Sequence, residues 1–150
     1  MTVVRKTITV EAPAAIAFRV FTDSMDRWWP RSGHHISPAG LKQAVLEGRE
    51  GGRWYEVDIN GTECDWGRVL EWDPPTRLVL AWQIDATWHY NPHLVTEVEI
   101  QFVAEGPDRT RVELEHRNLE RFGDAMENIR AGLDLGWHNL LAAFAQATVA

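Results

Sequence analysis

Apolar and polar residues alternate along the first part of the chain, which predicts a strand over residues 3–10. Pro13 then suits the first turn of a helix, because proline has no N–H group to leave unpaired there. The apolar face of this short helix consists of Ile16, Ala17, Val20 and Phe21. A second short helix is predicted where Met25, Trp28 and Trp29 share a face, and Pro30 ends it. Residues 31–42 read as an irregular loop.

Between residues 44 and 116 the alternation predicts about six short strands separated by turns. Asn60-Gly61 is the strongest hairpin signal, since both residues tolerate the positive φ angles of a tight two-residue turn. Pro74-Pro75 marks a second turn, and Gly106-Pro107-Asp108 lies in another.

The last thirty residues change to a helical period. Apolar residues recur at steps of three and four and form one stripe, made of Leu119, Phe122, Met126, Ile129, Leu133, Trp137, Leu140 and Phe144. Gly123, Gly132 and Gly136 interrupt this pattern. We therefore expect a preliminary turn, then a long helix that ends near Ala147 and has a break near residues 132–136.

This order of elements predicts one α+β domain spanning residues 1–150, with an antiparallel sheet. A sheet with one apolar face must cover that face, and the terminal helix carries the long apolar stripe. We therefore expect a curved sheet of about six to seven strands wrapped around the C-terminal helix, with two short helices after the first strand.

Tryptophan is unusually frequent, with eight residues in a chain of 150. A core can be filled by aliphatic residues and Phe, whereas a buried indole needs a partner for its N–H group. Tryptophan therefore suits an apolar surface that is not fully closed, and its abundance suggests an aromatic-lined cavity. A tryptophan-rich core without a ligand is the alternative.

Charge and hydropathy exclude several classes of protein. With 15 basic and 22 acidic residues the net charge is −7, which argues against a nucleic acid or an anionic membrane as partner. No apolar run is long enough for a signal peptide core or a membrane span, so we expect no membrane insertion. Cys64 is the single cysteine, and a reducing cytoplasm is the expected location.

Short motifs occur along essentially the whole chain, namely Ile8-Thr9-Val10-Glu11-Ala12-Pro13, Phe18, Phe21, Trp28-Trp29-Pro30, Gly51-Gly52-Arg53-Trp54-Tyr55-Glu56, Trp66-Gly67-Arg68-Val69-Leu70, Pro74-Pro75-Thr76-Arg77-Leu78, Thr110-Arg111-Val112-Glu113-Leu114-Glu115-His116 and Gly136-Trp137. In these residues and their order the chain resembles the SRPBCC superfamily, whose members share the helix-grip fold and include START, birch-pollen-allergen-like and polyketide-cyclase relatives. The most similar branch is the AHSA group, named after homologues of a chaperone-ATPase activator.

The hairpin around Asn60-Gly61 can present either of two faces to the core. A tight turn pairs Tyr55 with Trp66 and Trp54 with Gly67. Composition favours burial of the face with Tyr55 and Trp66, whereas the resemblance implies that the face with Trp54 and Glu56 points inward. A slip of one residue would regroup the side chains.

The helical stripe and the alternating strands converge on a predicted cavity between helix and sheet. Its expected ligand-binding residues are Trp29, Trp54, Trp82, His116, Trp137 and Phe144. Gly136, at the edge of the stripe, either leaves space for a ligand or allows tight helix–sheet packing. Glu56 and His116 are the candidates for acid/base chemistry, because they are the polar residues that we expect to point inward.

No metal or cofactor is expected. His34-His35 and His89/His93 lack the spacing of a zinc site, and Pro92 interrupts any helix that would align the second pair. Cys64 stands beside Asp65 with no cation near it in sequence, so we expect an inert thiol.

Three functions remain open. The first is binding of a hydrophobic or aromatic small molecule, as a noncatalytic carrier or sensor. The second is an enzyme of the cyclase or hydratase type, using Glu56 or His116 in the same cavity. The third, a chaperone-associated interaction domain, is implied by the resemblance alone. A homodimer is left open as the assembly.

Overall fold

The computed structural model describes residues 2–149. The strands are β1 (Val4–Val10), β2 (Leu41–Leu46), β3 (Arg53–Asp58), β4 (Glu63–Asp73), β5 (Arg77–Trp82), β6 (Thr96–Ala104) and β7 (Thr110–Arg117). The α-helices are α1 (Ala14–Phe21), α2 (Met25–Trp28) and α3 (Met126–Ala147), and a 3₁₀ segment (Leu119–Ala125) precedes α3. No helix in this part of the chain combines the length and the apolarity needed to cross a bilayer.

All seven strands form one antiparallel sheet in the order β1-β7-β6-β5-β4-β3-β2. The first strand therefore pairs with the last one, and α1 and α2 carry the chain across to β2 at the opposite edge. The sheet curls around α3, which confirms the predicted α+β helix-grip fold with two short helices after the first strand.

The terminal helix is continuous from Met126 to Ala147, so the expected break near residues 132–136 is wrong. Each helical glycine costs about 1 kcal/mol relative to alanine. Burial of Leu133, Trp137 and Phe144 in the core outweighs that cost, because the packing of an apolar face supplies most of a helix's stability in a protein. The expected preliminary turn is confirmed as the 3₁₀ segment, in which Gly123 has a φ of 64°.

The β3–β4 hairpin buries side chains from both of the faces that the sequence analysis gave as alternatives. Trp54 pairs with Gly67 as predicted, but the register then shifts and Tyr55 pairs with Asp65, so the predicted Tyr55–Trp66 pair is wrong. This bulge gives β4 one extra residue and turns Trp66 inward beside Trp54, with ring centroids 5.6 Å apart. Glu56 is fully buried on the same side, as the resemblance implies.

Gly67 is needed at this bulge because β4 and β5 approach closely there. A Cβ atom at this position would lie 1.7 Å from the Ala81 carbonyl oxygen. The neighbouring core is largely aromatic: Trp54 contacts Trp29 and Trp82 in edge-on geometry, and Phe144 of α3 packs against Phe21. Many of the tryptophans thus fill the core.

Candidate functional site

A cavity of about 230 Å³ lies where the first half of α3 faces the end of β5 and the two loops beside it. It opens to solvent past Trp88, whose side chain is 48% exposed. The lining residues are Gly33, His34, Trp82, Ile84, Asp85, Trp88, Phe122, Asn128, Ile129, Gly132, Leu133, Gly136, Trp137 and Leu140. Most of these side chains are apolar, and three are tryptophans.

Helix α3 contributes one wall because Leu133, Trp137 and Leu140 project from the same face. Gly132 and Gly136 lie next to them and leave the helix surface bare. A Cβ atom on Gly132 would meet nothing within 4 Å, and one on Gly136 would lie 3.9 Å from Cε1 of His34. The two glycines therefore widen the cavity, rather than permitting a tight contact with the sheet.

The loop after β5 holds Trp88 at the cavity mouth. Oδ1 of Asp85 accepts hydrogen bonds from the backbone N–H groups of Thr87 (2.9 Å) and His89 (3.1 Å) and from the Thr87 hydroxyl (2.7 Å). The Thr87 hydroxyl is the main reason why the Asp85 pKa lies below its usual value. This turn places Trp88 in the left-handed region, with a φ of 61°, which a bulky residue rarely adopts.

His116 lies behind the cavity, where hydrogen bonds connect it to two lining residues, Trp137 of α3 and Trp82 of β5. The indole N–H of Trp137 donates to its Nδ1 at 3.1 Å, and its Nε2 lies 2.7 Å from the Thr96 hydroxyl. That hydroxyl donates to the carbonyl oxygen of Trp82 at 3.2 Å. Because an indole can only donate, Nδ1 must accept and Nε2 must carry the proton. Burial lowers the pKa of His116 to about 3, so the ring is neutral at pH 7.

Glu56 anchors the loop between α2 and β2. Its carboxylate accepts hydrogen bonds from the backbone N–H groups of Ile36 (2.5 Å) and Ser37 (3.0 Å), and from the indole of Trp66 (2.6 Å). Three donors around one buried carboxylate compensate for its lost hydration. Glu56 thereby fixes the segment that begins at His34, although it does not itself line the cavity.

His34 reaches the cavity from this loop. The indole of Trp29 donates to the His34 carbonyl oxygen at 2.8 Å, and Glu56 accepts from the N–H group of Ile36, so the backbone that leaves the histidine is held in place. Burial, and secondarily the neighbouring His35, lowers the pKa of His34 below its usual value. The imidazole is therefore predominantly neutral at pH 7.

The structure brings only some of the expected ligand-binding residues to the cavity. Trp82 and Trp137 line it, whereas Trp29, Trp54, Phe144 and His116 lie in the surrounding core. A ligand contact for any of the six stays a prediction. Sequence reasoning missed His34 and Trp88, because loop residues carry no periodic signal that would show which way they face. Ile84 was also left out of the expected site, although it alternates in phase with Trp82.

The two remaining questions are whether the described residues can bind a metal ion and whether the Cys64 thiol is reactive. Within residues 2–149, no group of three or more His, Cys, Asp or Glu side chains is arranged to hold a metal ion. Burial, followed by the negative charge of Glu56, raises the pKa of the half-buried Cys64 thiol, which favours its unreactive protonated form.

The curled antiparallel sheet, the long gripped helix and the cavity between them define a protein of the SRPBCC class, the helix-grip proteins. Residues 11–148 match the model of the family described as "Activator of Hsp90 ATPase homolog 1-like protein", and the chain belongs to this family. None of the curated proteins compared matches the sequence.

Several solved structures share the fold over nearly the full length. The anthrahydroquino-gamma-pyrone synthase Txn09 is 42% identical, with 97% of this chain and 96% of that chain covered and a TM-score of 0.70. CalC from Micromonospora echinospora, described as a self-sacrificing resistance protein, is 32% identical, with 97% and 93% covered and a TM-score of 0.73. The Aha1 dimer from Colwellia psychrerythraea is 20% identical, with 99% and 96% covered and a TM-score of 0.63, and this likeness shows the fold alone.

Proposed function

We propose that this protein binds a flat aromatic small molecule in the cavity between α3 and the end of β5. The observation that carries the proposal is the composition of the walls, in which Trp82, Trp88 and Trp137 surround a space that α3 leaves open at Gly132 and Gly136. Indole rings offer planar apolar surfaces on which an aromatic ring system can stack, at about 0.5–1.5 kcal/mol per pair beyond the area buried.

The size of the cavity supports a ligand of two or three fused rings. Its volume of about 230 Å³ exceeds the roughly 150 Å³ of an apolar cavity that accommodates benzene. Since the mouth is open beside Trp88, part of a longer ligand can extend into solvent. The 42% identity with a protein described as an anthrahydroquino-gamma-pyrone synthase favours polycyclic, oxygenated aromatic compounds as the ligand class.

The test is a titration of the purified protein with two- and three-ring aromatic compounds, followed by tryptophan fluorescence and by calorimetry. We expect saturable binding and a change in emission, because three of the eight tryptophans line the cavity. In Gly132→Phe the new side chain fills the cavity, so binding should weaken at least about tenfold. The helix itself should not suffer, since phenylalanine is a better helix former than glycine.

Ala131→Phe is the matched control, because Ala131 is exposed on the same helix and does not line the cavity. It should bind the compounds as the unmodified protein does. Equal binding by Gly132→Phe and the unmodified protein would contradict the proposed location, and no binding by any of the compounds would contradict the function.

A second candidate is an enzyme that acts on such a ligand, favoured by the description of the 42% identical relative as a synthase. Glu56 and His116, the acid/base residues suggested by the sequence, already use their polar atoms in internal hydrogen bonds and do not line the cavity. Desolvation also moves the His116 pKa away from neutrality. Conversion of a bound oxygenated aromatic compound, followed by mass spectrometry, tests this candidate.

A chaperone-associated role remains a prediction that the family description supports, and a homodimer remains a prediction of the sequence analysis. Light scattering at several protein concentrations tests the dimer. Retention of the protein by an immobilised chaperone ATPase, compared with the same ATPase in its denatured form, tests the role.

A further inference from the structure

We propose that His34 is the residue that selects the ligand, by accepting a hydrogen bond from a phenolic or enolic hydroxyl group on the aromatic ring system. This inference rests on the proposed function and adds the chemical feature that the ligand must carry. The cavity would then bind hydroxylated aromatic compounds in preference to plain hydrocarbons of the same shape.

The first argument is that the His34 ring has unused hydrogen-bonding capacity in a cavity whose walls are mostly apolar. Among the described residues, the titratable side chains that line the cavity are His34 and Asp85. Asp85 directs its Oδ1 atom to three donors of its own loop. Within residues 2–149 no side-chain hydrogen bond engages the His34 ring, although hydrogen bonds hold the backbone at its own carbonyl group and at Ile36 and Ser37 after it.

The second argument is geometric. Cε1 of His34 lies 3.9 Å from the position that a Cβ atom of Gly136 would occupy, so the edge of the ring faces the bare part of α3. A larger residue at position 136 would crowd this space. A ring system lying in the cavity against Trp137 therefore passes close to the imidazole, where a hydroxyl on its rim can reach a ring nitrogen.

The third argument is the protonation state. A neutral imidazole has one acceptor nitrogen, whereas an imidazolium has none. Burial and His35 both lower the pKa of His34, so the acceptor form predominates at pH 7. His35, next to it in the chain, is the titratable group that acts on the His34 pKa, and Asp85 is the other titratable residue among the described residues that line the cavity. A ligand that lacks the hydroxyl leaves this acceptor without a partner in an apolar site, which weakens binding.

The experiment compares 1-naphthol with naphthalene, because the two differ by a single hydroxyl group. The measured quantity is the ratio of their dissociation constants at pH 7.5, in the unmodified protein and in three variants. His34→Leu removes the acceptor and should reduce the preference for 1-naphthol by about tenfold, the equivalent of about 1.4 kcal/mol. His34→Gln keeps an acceptor and should retain much of the preference. His138→Leu, an exposed change on α3, should leave it unchanged.

A pH series separates recognition from a general packing effect. As the pH falls below the pKa of His34, the ring becomes protonated and loses its acceptor. The preference for 1-naphthol should therefore decline with falling pH in the unmodified protein, and should be independent of pH in His34→Gln. NMR of the unmodified protein adds a second readout: 1-naphthol should lower the pKa of His34 further, because it stabilises the neutral form.

The outcomes distinguish the two proposals. If both compounds bind and His34→Leu leaves the ratio unchanged, His34 does not select the hydroxyl, while the proposed function stands. If neither compound binds the unmodified protein, the proposed function fails and this inference fails with it. Should His34→Leu not fold, an NMR pKa of His34 that is the same with 1-naphthol as with naphthalene would still overturn the inference.

Discussion

The indole N–H of Trp137 donates to Nδ1 of His116 across 3.1 Å, and this contact commits the buried imidazole to a single neutral tautomer. The opposite nitrogen then carries the proton and faces the Thr96 hydroxyl at 2.7 Å. A protonated ring would place a second N–H group against the indole N–H. The packing of Trp137 in the cavity wall therefore depends on His116 behind it being neutral.

This relationship predicts how stability depends on pH. The unfolded chain binds a proton on His116 near the ordinary pKa of 6.5, whereas the folded protein does so only near pH 3. Below pH 6.5 the unfolded state therefore binds more protons, and the free energy of unfolding falls with pH until about pH 3. The expected contribution is at most about 1.4 kcal/mol per pH unit.

Chemical denaturation between pH 7.5 and 4.5 measures this effect, with His116→Gln as the reference. Glutamine can accept from Trp137 and donate to Thr96, but it does not titrate. The free energy of unfolding of His116→Gln should fall less steeply with falling pH than that of the unmodified protein. Carboxylate titrations are common to the two proteins and therefore cancel in the comparison. Equal slopes would show that the His116 pKa is not lowered in the folded protein.

Replacement by alanine should change the free energy of unfolding by very different amounts at two of the cavity tryptophans. Trp137 is 1% exposed and packs against Trp82, so Trp137→Ala should reduce the free energy of unfolding by about 3–5 kcal/mol. Trp88 is 48% exposed, and Trp88→Ala should reduce it by less than about 1 kcal/mol. Both should weaken binding of aromatic compounds. Chemical denaturation measures the stability of the two variants, and fluorescence titration of the same samples measures their binding. A large loss of stability in Trp88→Ala would show that this ring has a structural role.

Glu56→Gln should loosen the loop that carries His34. A carboxamide has one oxygen and one NH₂ group, so it cannot accept from all three donors that surround the carboxylate. We expect a loss of about 1–3 kcal/mol and faster hydrogen exchange at the amides of Ile36 and Ser37. Glu63→Gln, an exposed change on β4, is the control and should alter neither quantity. Unchanged exchange at Ile36 would mean that the loop is held by other contacts.

Gly67→Ala should be among the most damaging single-methyl additions in the chain. The new Cβ would lie 1.7 Å from a backbone oxygen of β5, so the strands must separate locally. We expect a loss of more than about 4 kcal/mol or failure to fold. Gly132→Ala adds the same methyl group where nothing lies within 4 Å, and it should stabilise the protein by up to about 1 kcal/mol. Comparable stabilities of the two variants would disprove the close approach of β4 and β5.

Local patterns were sufficient to predict the architecture. Alternation over residues 3–10 and 96–104 reflects one buried and one more exposed face of a strand, and the stripe from Leu119 to Phe144 reflects one buried face of a helix. Such periodicities are imposed by backbone geometry residue by residue, so they can be read without knowing the neighbours. The inward direction of His116 followed in the same way from the phase of Val112 and Leu114.

The tertiary structure alone decided which of these residues surround a cavity. The bulge that turns Trp66 inward depends on how closely β4 and β5 approach at Gly67, a distance that no local pattern encodes. The continuity of α3 through Gly132 and Gly136 depends on burial against the sheet. His34 and Trp88 lie in loops whose paths are set by Glu56 and Asp85 through hydrogen bonds. The number and the positions of the tryptophans are properties of the sequence, but whether an indole fills the core or lines a cavity is determined by packing between elements that are distant in the chain.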